Sequence, residues 1–264
     1  MIKLNGKIIE QNHFPDGTLL MKYGIDDRNV STIAWKYEND SEIFALYSLK
    51  RHLDCVAPGR NKCLYLPYIP NARQDRVKNK EDVFTLKYFA EIINSLGFEE
   101  VYVLDPHSSV SEALINNIKT AHIDEFIART FNNIGTDNLL MFYPDEGAMK
   151  RYSGMIKMEY VFGIKKRDWE TGKIEGLDVA GCVDKVKGSR ILIVDDICSR
   201  GGTFYHSAKK LKELGAKEIY LYVTHCENTI LAGELLTSGL IEKVYTTNSI
   251  FTKEHEKIEV FNVC

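Results

Sequence analysis

Long apolar runs are missing from this 264-residue chain. The longest, such as Leu139–Phe142 and Ile191–Val194, fall far short of the ~20 residues that a membrane-spanning helix needs. Proline (6) and glycine (18) are too few to build long disordered linkers. No sign of charge dominates: 34 Lys+Arg face 37 Asp+Glu, a formal net charge of -3, which argues against a protein built mainly to grip nucleic acid. The six cysteines (Cys55, Cys63, Cys182, Cys198, Cys226 and Cys264) are scattered, with no Cys-x-x-Cys pair and no zinc-like His/Cys spacing. Free thiols, many of them in the core, are therefore expected. His255-Glu-Lys-Ile-Glu lacks the second His, one turn on, that a zincin helix requires. Met1-Ile-Lys-Leu-Asn-Gly carries no apolar secretory segment. These absences together predict a cytoplasmic protein with neither a membrane nor a nucleic acid as partner.

What is present is ordinary globular composition, 44% hydrophobic and 27% charged, in a chain long enough for two domains at ~150 residues each. Short β-rich apolar runs alternate with helical patterns. Cys63-Leu-Tyr-Leu reads as a strand; Leu86, Phe89, Ala90, Ile93 and Leu96 then share one helical face, with Gly97 at the C′ position. Val101–Leu104, Leu139–Tyr143, Tyr160–Phe162 and Ile191–Val194 are further strands. A helix through Phe204, Ala208, Leu211 and Leu214 closes at Gly215, and Ile219–Val223 and Val244–Thr246 complete the series. Alternation of this kind predicts an α/β fold of βαβ units, with two mostly parallel sheets flanked by helices. The expected division lies near residues 120–137, where Asn132-Asn-Ile-Gly-Thr-Asp is the only convincing turn cluster. This sets an N-terminal domain at 1–125 and a C-terminal one at 126–264.

Ligands of open α/β sheets sit at the carboxyl ends of strands. Here those ends are polar: Pro70–Arg76, Asp105-Pro-His-Ser108, Pro144-Asp-Glu-Gly147, Lys165-Lys-Arg167 and Asp195–Thr203. In the last, two adjacent carboxylates, Asp195 and Asp196, can accept hydrogen bonds from vicinal hydroxyls such as those of a ribose. The loop Ser199-Arg200-Gly201-Gly202-Thr203 then opens a helix, offering backbone N–H groups, hydroxyls and a helix N-terminus to a phosphate. Gly201 and Gly202 let the backbone approach the anion. It is not a Walker A loop, since no Gly-Lys-Ser/Thr follows. A 5-phosphorylated ribose carries both features on one small molecule.

The 195–203 stretch resembles the phosphoribosyl pyrophosphate (PRPP) motif of the phosphoribosyltransferase superfamily. The rest of the chain narrows the resemblance to ribose-phosphate pyrophosphokinases. Leu66-Pro-Tyr-Ile-Pro-Asn-Ala-Arg-Gln-Asp-Arg is similar to their ATP-binding segment, Asp105-Pro-His-Ser to their Asp-Leu-His-Ala, and Phe14-Pro-Asp-Gly-Thr to their Phe-x-Asp-Gly-Glu. Pro144-Asp-Glu-Gly-Ala, Lys165-Lys-Arg and Thr224-His follow in the family's order, from about residue 14 to 251. The resemblance implies two tandem phosphoribosyltransferase-like domains, the first carrying the ATP-binding segment and the second the PRPP loop. It also implies transfer of the pyrophosphoryl group of ATP to the C1 hydroxyl of ribose 5-phosphate, giving PRPP and AMP for nucleotide biosynthesis.

The same resemblance assigns roles. Arg73, Gln74, Asp75 and Arg76 would bind ATP, the guanidinium forks suiting polyphosphate oxygens. Phe14 and Asp16 would hold adenine across a subunit boundary, which implies a homo-oligomer with a shared ATP site. His107 and Asp145 would be associated with Mg²⁺, Mn²⁺ also being admitted, and Asp105 either orients His107 or caps the turn. Lys165 and Arg167, read as following a strand into a polar loop, would neutralise charge on the transferred group. Asp195 and Asp196 would bind the ribose hydroxyls, and Ser199, Arg200, Gly201, Gly202 and Thr203 the 5-phosphate.

The sequence departs from the family pattern at Ser199-Arg200, where an acid is usual and the loop gains positive charge, and at Thr18, which replaces a Glu. It is also shorter than usual at both ends, starting 13 residues before Phe14 and stopping at Cys264. A PRPP-consuming phosphoribosyltransferase would share residues 195–203 but has no use for Arg73–Arg76 with His107. A catalytically silent associated subunit would be expected to have lost Lys165, Arg167 or His107, and all three are present.

Overall fold

The computed structural model of the chain describes residues 1–23, 30–167 and 174–263; the side chains of 165–167 and 174–177 and the whole of Cys264 lie outside that description. The chain forms two compact units, Met1–His122 and Ile123–Cys264.

In the first unit the elements run β1 (Ile2–Leu4), β2 (Lys7–Ile8), β3 (Gln11–His13), β4 (Leu19–Met21), β5 (Val30–Trp35), α1 (Glu42–Val56), β6 (Asn61–Leu66), α2 (Thr85–Ser95), β7 (Glu100–Leu104), α3 (Ser109–Leu114) and β8 (Ile118–Ala121). The sheet order is β2-β1-β5-β6-β7-β8, parallel from β5 to β8, with the β1–β2 hairpin added antiparallel at one edge. Alternation drives β5 and β6: Ile33, Trp35, Leu64 and Leu66 are fully buried while their neighbours are less so. Leu46, Leu49 and Leu53 of α1, with Leu86, Phe89 and Ile93 of α2, complete this core. The Trp35 indole donates to the buried Glu42 carboxylate at 2.8 Å, so the largest core side chain keeps its polar atom paired. Gly97, at φ 61, ends α2 at the C′ position, as its place in the sequence predicts.

The second unit runs α4 (Asp124–Ile134), β9 (Leu139–Tyr143), α5 (Glu146–Tyr152), β10 (Tyr160–Arg167), β11 (Ile174–Gly181), β12 (Arg190–Cys198), α6 (Gly202–Glu213), β13 (Glu218–Cys226), β14 (Lys243–Thr247) and β15 (Ile258–Phe261). Its order is β11-β10-β9-β12-β13-β14-β15, parallel except for the antiparallel edge pair β10–β11. β9 is buried along its whole length, as expected of a central parallel strand. The architecture is α/β, with two mostly parallel sheets and helical connections.

Two readings of the sequence are corrected here. Asn132-Asn133 belong to α4 and not to a linker turn: they lie on the exposed side of a helix that buries Phe126, Ile127, Thr130 and Ile134 and ends at Gly135. Lys165, Lys166 and Arg167 are the last residues of β10 and not a loop after it, because β11 pairs with them at Lys165↔Leu177, Lys166↔Gly176 and Arg167↔Ile174. Of the five described cysteines, all free, Cys198 and Cys226 are buried, Cys63 and Cys182 half-buried and Cys55 exposed. No helix among the described residues is long and apolar enough to cross a membrane.

Candidate active site

In the first unit, β6 and β7 are parallel neighbours, with Leu66 opposite Val103, so the loops leaving their carboxyl ends emerge together. The loop after β6 carries Arg73–Arg76 and that after β7 carries Asp105–Ser108. Asp75 joins the two. It is buried at 5% exposure and accepts two hydrogen bonds from Arg76, Nε to Oδ1 at 2.6 Å and Nη2 to Oδ2 at 2.9 Å. Its carboxyl is held below the usual range, first by the Arg76 hydrogen bonds and then, against the opposing effect of burial, by the charges of Arg76 and His107. Gln74 is tied to the start of α2: Thr85 Oγ1 donates to its side-chain oxygen at 2.6 Å, and Leu86 N to its carbonyl at 3.4 Å. Arg73 and Arg76 are exposed and His107 is half-buried. Asp105 sits at φ 42, a strained left-handed position for a buried residue at a strand end.

Phe14 and Asp16 occupy the tip of the β3–β4 hairpin. Phe14 N donates to Thr18 O at 2.9 Å and Gly17 N to Phe14 O at 2.8 Å, with Gly17 at φ 84 as this turn demands. Asp16 Oδ1 accepts from both Thr18 N at 2.9 Å and Thr18 Oγ1 at 2.7 Å, which lowers its pKa, the side-chain bond foremost. The turn presents Phe14 to solvent at 49% exposure.

In the second unit the chain leaves β9 towards β10 on one side and enters β12 on the other, so β9 and β12 flank the topological switch point. β9 pairs only with Arg190–Ile193 of β12; beyond that β12 continues against β13 alone, Asp195 opposite Val223 and Cys198 opposite Cys226. Asp195 and Asp196 are thus carried past the end of β9, beside the turn that opens α5. Asp145 begins that helix as its N-cap, accepting from Ala148 N at 3.1 Å. Asp196 is 5% exposed, and Arg151 Nη1 of α5 lies 3.6 Å from its Oδ1. Burial, and then the neighbouring Asp196 charge, push the Asp195 carboxyl well above its ordinary range, with Asp145 adding a smaller effect in the same direction. Ser199–Gly201 lead into α6, whose N-cap, Gly201, is left-handed at φ 80 and ψ 11.

Comparison with known proteins bears on this geometry. A sequence profile described as phosphoribosyl synthetase-associated domain matches residues 176–263. Ribose-phosphate pyrophosphokinase of Thermococcus kodakarensis is 30% identical over 254 residues, covering 92% of this chain and 86% of that protein. The chain belongs to the ribose-phosphate pyrophosphokinase family. The family member from Mycoplasma pneumoniae is 27% identical over 278 residues, 99% of this chain and 82% of its own. The crystal structure of phosphoribosylpyrophosphate synthetase from Mycobacterium smegmatis superposes with a TM-score of 0.76 at 17% identity, covering 97% of this chain and 86% of that one, a likeness of fold.

Within this ribose-phosphate pyrophosphokinase fold, some of the residues singled out in the sequence are brought together. Asp75 shares a cluster with Arg76 and His107 in the first unit; Asp145, Asp195 and Asp196 share one in the second. Lys165 and Arg167 have described backbones, at the end of β10, while their side chains lie outside the described residues.

Two features escaped the sequence reading. Arg151, partner of Asp196, looks in the sequence like a last-turn basic residue complementing a helix dipole. The second is a buried network at the carboxyl ends of β13 and β14. There His225 Nδ1 lies 2.8 Å from Ser249 Oγ, and Thr247 Oγ1 donates to Thr224 O at 2.7 Å. Thr224-His225 marks it in the sequence, but its partners come from a segment more than twenty residues on.

Proposed function

We infer that the chain is a ribose-phosphate diphosphokinase, forming PRPP and AMP from ATP and ribose 5-phosphate. The observation that carries this is the second unit's switch point, where a carboxylate pair, Asp195 half-buried and Asp196 buried, leads directly into a glycine loop opening a helix. Vicinal ribose hydroxyls donate to Asp195 and Asp196, and the 5-phosphate accepts from Ser199, Arg200, Gly201, Gly202 and Thr203. Arg73 and Arg76, exposed on the loop between β6 and α2, grip the ATP polyphosphate. Asp75 and Gln74, tied into the protein, hold that loop in place. Phe14 packs on adenine with Asp16 beside it, in a homo-oligomer whose ATP site is shared between subunits.

In the reaction, the C1 hydroxyl oxygen forms a bond to the β-phosphorus, the bond between that phosphorus and the α–β bridging oxygen breaks, and the hydroxyl proton leaves to solvent. AMP departs with the bridging oxygen. Such displacements depend on alignment and on stabilising charge more than on covalent help from the protein. Lys165 and Arg167 neutralise charge that grows on the transferred group and on AMP.

Mg²⁺, with Mn²⁺ as a substitute, fits the donors that are present. No three His, Cys, Asp or Glu side chains form a metal cage among the described residues, and Mg²⁺ ordinarily takes one or two protein ligands and completes its shell with phosphates and water. His107 in the first unit and Asp145 in the second, each at the carboxyl end of a strand, are the two positions proposed for such an ion, each considered by itself. Bound there, it would offset negative charge on the phosphates.

The test supplies the protein with ribose 5-phosphate, ATP and Mg²⁺ and follows nucleotides and sugar phosphates by chromatography. AMP and PRPP in equal amounts support the reading. ADP would indicate a simple kinase, and binding of PRPP without turnover would move the reading to a transferase or a sensor.

A further inference from the structure

Gly233 lies in the turn after β13, in a segment to which no role has been given. Its backbone, φ -94 and ψ 170, is one that any residue adopts, so conformation does not call for glycine. Space does. A Cβ at this position would stand 1.9 Å from the carbonyl oxygen of Arg200 and 2.9 Å from its carbonyl carbon. Both are backbone atoms, so no side-chain rotation could relieve the clash.

The same segment meets the next residue of the loop. Leu235, 1% exposed, places its Cδ2 2.9 Å and its Cβ 3.1 Å from where a Gly201 side chain would begin. At the other end of the contact, Glu227 N donates to Cys198 O at 2.8 Å, and Gly233 N closes the turn on Ile230 O at 3.1 Å. The chain from Glu227 to Leu235 therefore supports Cys198–Gly201 at three successive points. The Arg200–Gly201 peptide is trans, and in a planar trans peptide the C=O and the following N–H point in opposite directions. Seating the Arg200 carbonyl on Gly233 turns the Gly201 N–H away from the supporting segment.

We propose that Gly233 is a positioning residue of the phosphate loop: its missing side chain fixes the Arg200–Gly201 peptide so that the Gly201 N–H is presented to the 5-phosphate of ribose 5-phosphate. This rests on the assignment of residues 199–203 to that phosphate. Any larger residue at 233 displaces the carbonyl and swings the N–H with it.

The experiment compares Gly233→Ala with the unchanged protein by calorimetric titration of ribose 5-phosphate and by KM for each substrate. Affinity for ribose 5-phosphate should fall about tenfold or more, as for loss of a charge-assisted hydrogen bond, with the KM for ATP within about twofold. A merely structural role would lower kcat through loss of folded enzyme and leave both KM values unchanged. Gly239→Ala is the control: it strains a left-handed glycine in the same region, φ 72, with nothing within 4 Å, and should leave ribose 5-phosphate affinity as it was. If Gly233→Ala does not fold, Leu235→Val relaxes the contact on Gly201 and should weaken ribose 5-phosphate about threefold or more. Wild-type affinity in the folded variant, or an equal loss for ATP, overturns the proposal alone. Failure of the unchanged protein to bind ribose 5-phosphate overturns the function reading and the proposal with it.

Discussion

Nη1 of Arg151 lies 3.6 Å from Oδ1 of Asp196, so the buried member of the carboxylate pair is matched by a cation from the helix that follows the adjacent strand. Adjacent carboxylates resist ionising together, and Asp195 is pushed upward by desolvation and then by the Asp196 charge. The ionised form is the stronger acceptor for a ribose hydroxyl, and the charge of Arg151 favours that form. Arg151→Ala should raise the KM for ribose 5-phosphate by about tenfold or more while changing that for ATP far less. The sign of the pH effect follows. A raised carboxyl pKa means that affinity for the sugar falls on acidification from a pH above the ordinary carboxylate range, and loss of Arg151 moves that limb to still higher pH. Titrations of ribose 5-phosphate across pH check both, and Arg151→Lys should restore part of the affinity.

Asp75 presents the opposite case. Its lowered pKa means that its contribution to stability is complete above the unfolded-state value of about 4 and is lost as pH falls through the lower folded-state value. Asp75→Asn should cost about 1–3 kcal/mol at neutral pH, because a buried acceptor of two guanidinium bonds is replaced. Denaturant unfolding should show the gap between variant and parent closing as pH is taken below 4. A gap that is independent of pH would remove the Asp75–Arg76 pair from the account.

Lys165→Ala should lower kcat by about 10³-fold or more with little change in nucleotide binding, since the lysine's charge is proposed to matter mainly in the transition state. Single-turnover rates measured beside equilibrium binding of an ATP analogue separate the two effects. Comparable losses in both would give Lys165 a ground-state role.

Phe14 is half exposed at its hairpin tip and adds little to the fold. Phe14→Ala should therefore leave the melting temperature within about 1–2 °C of the parent. The KM for ATP should rise several-fold and that for ribose 5-phosphate should hold. An unchanged KM for ATP would leave the Phe-Pro-Asp-Gly-Thr stretch as turn chemistry alone.

The central strands were legible in the sequence because buried parallel strands must be apolar along their length, as Leu139–Tyr143 is, and helices such as α2 stop visibly at a left-handed glycine. The edge was not. Lys165–Arg167 are polar because β10 and β11 form the margin of the sheet, and a polar strand end resembles a loop. Asn132-Asn133 misled for a related reason: the exposed side of an amphipathic helix has the composition of a turn. At the site, the acids and the glycine loop could be read as adjacent residues. The Arg151–Asp196 pair and the seat of Arg200 on Gly233 join segments that are separate in the sequence, and at Gly233 an unremarkable φ gives no local sign.

The most direct test of the central claim follows phosphorus itself. With ATP, ribose 5-phosphate and Mg²⁺, ³¹P NMR of the reaction should show the β and γ signals of ATP moving together into a diphosphate on the sugar C1 as the α signal becomes AMP. Movement of the γ signal alone, with ADP accumulating, would contradict pyrophosphoryl transfer.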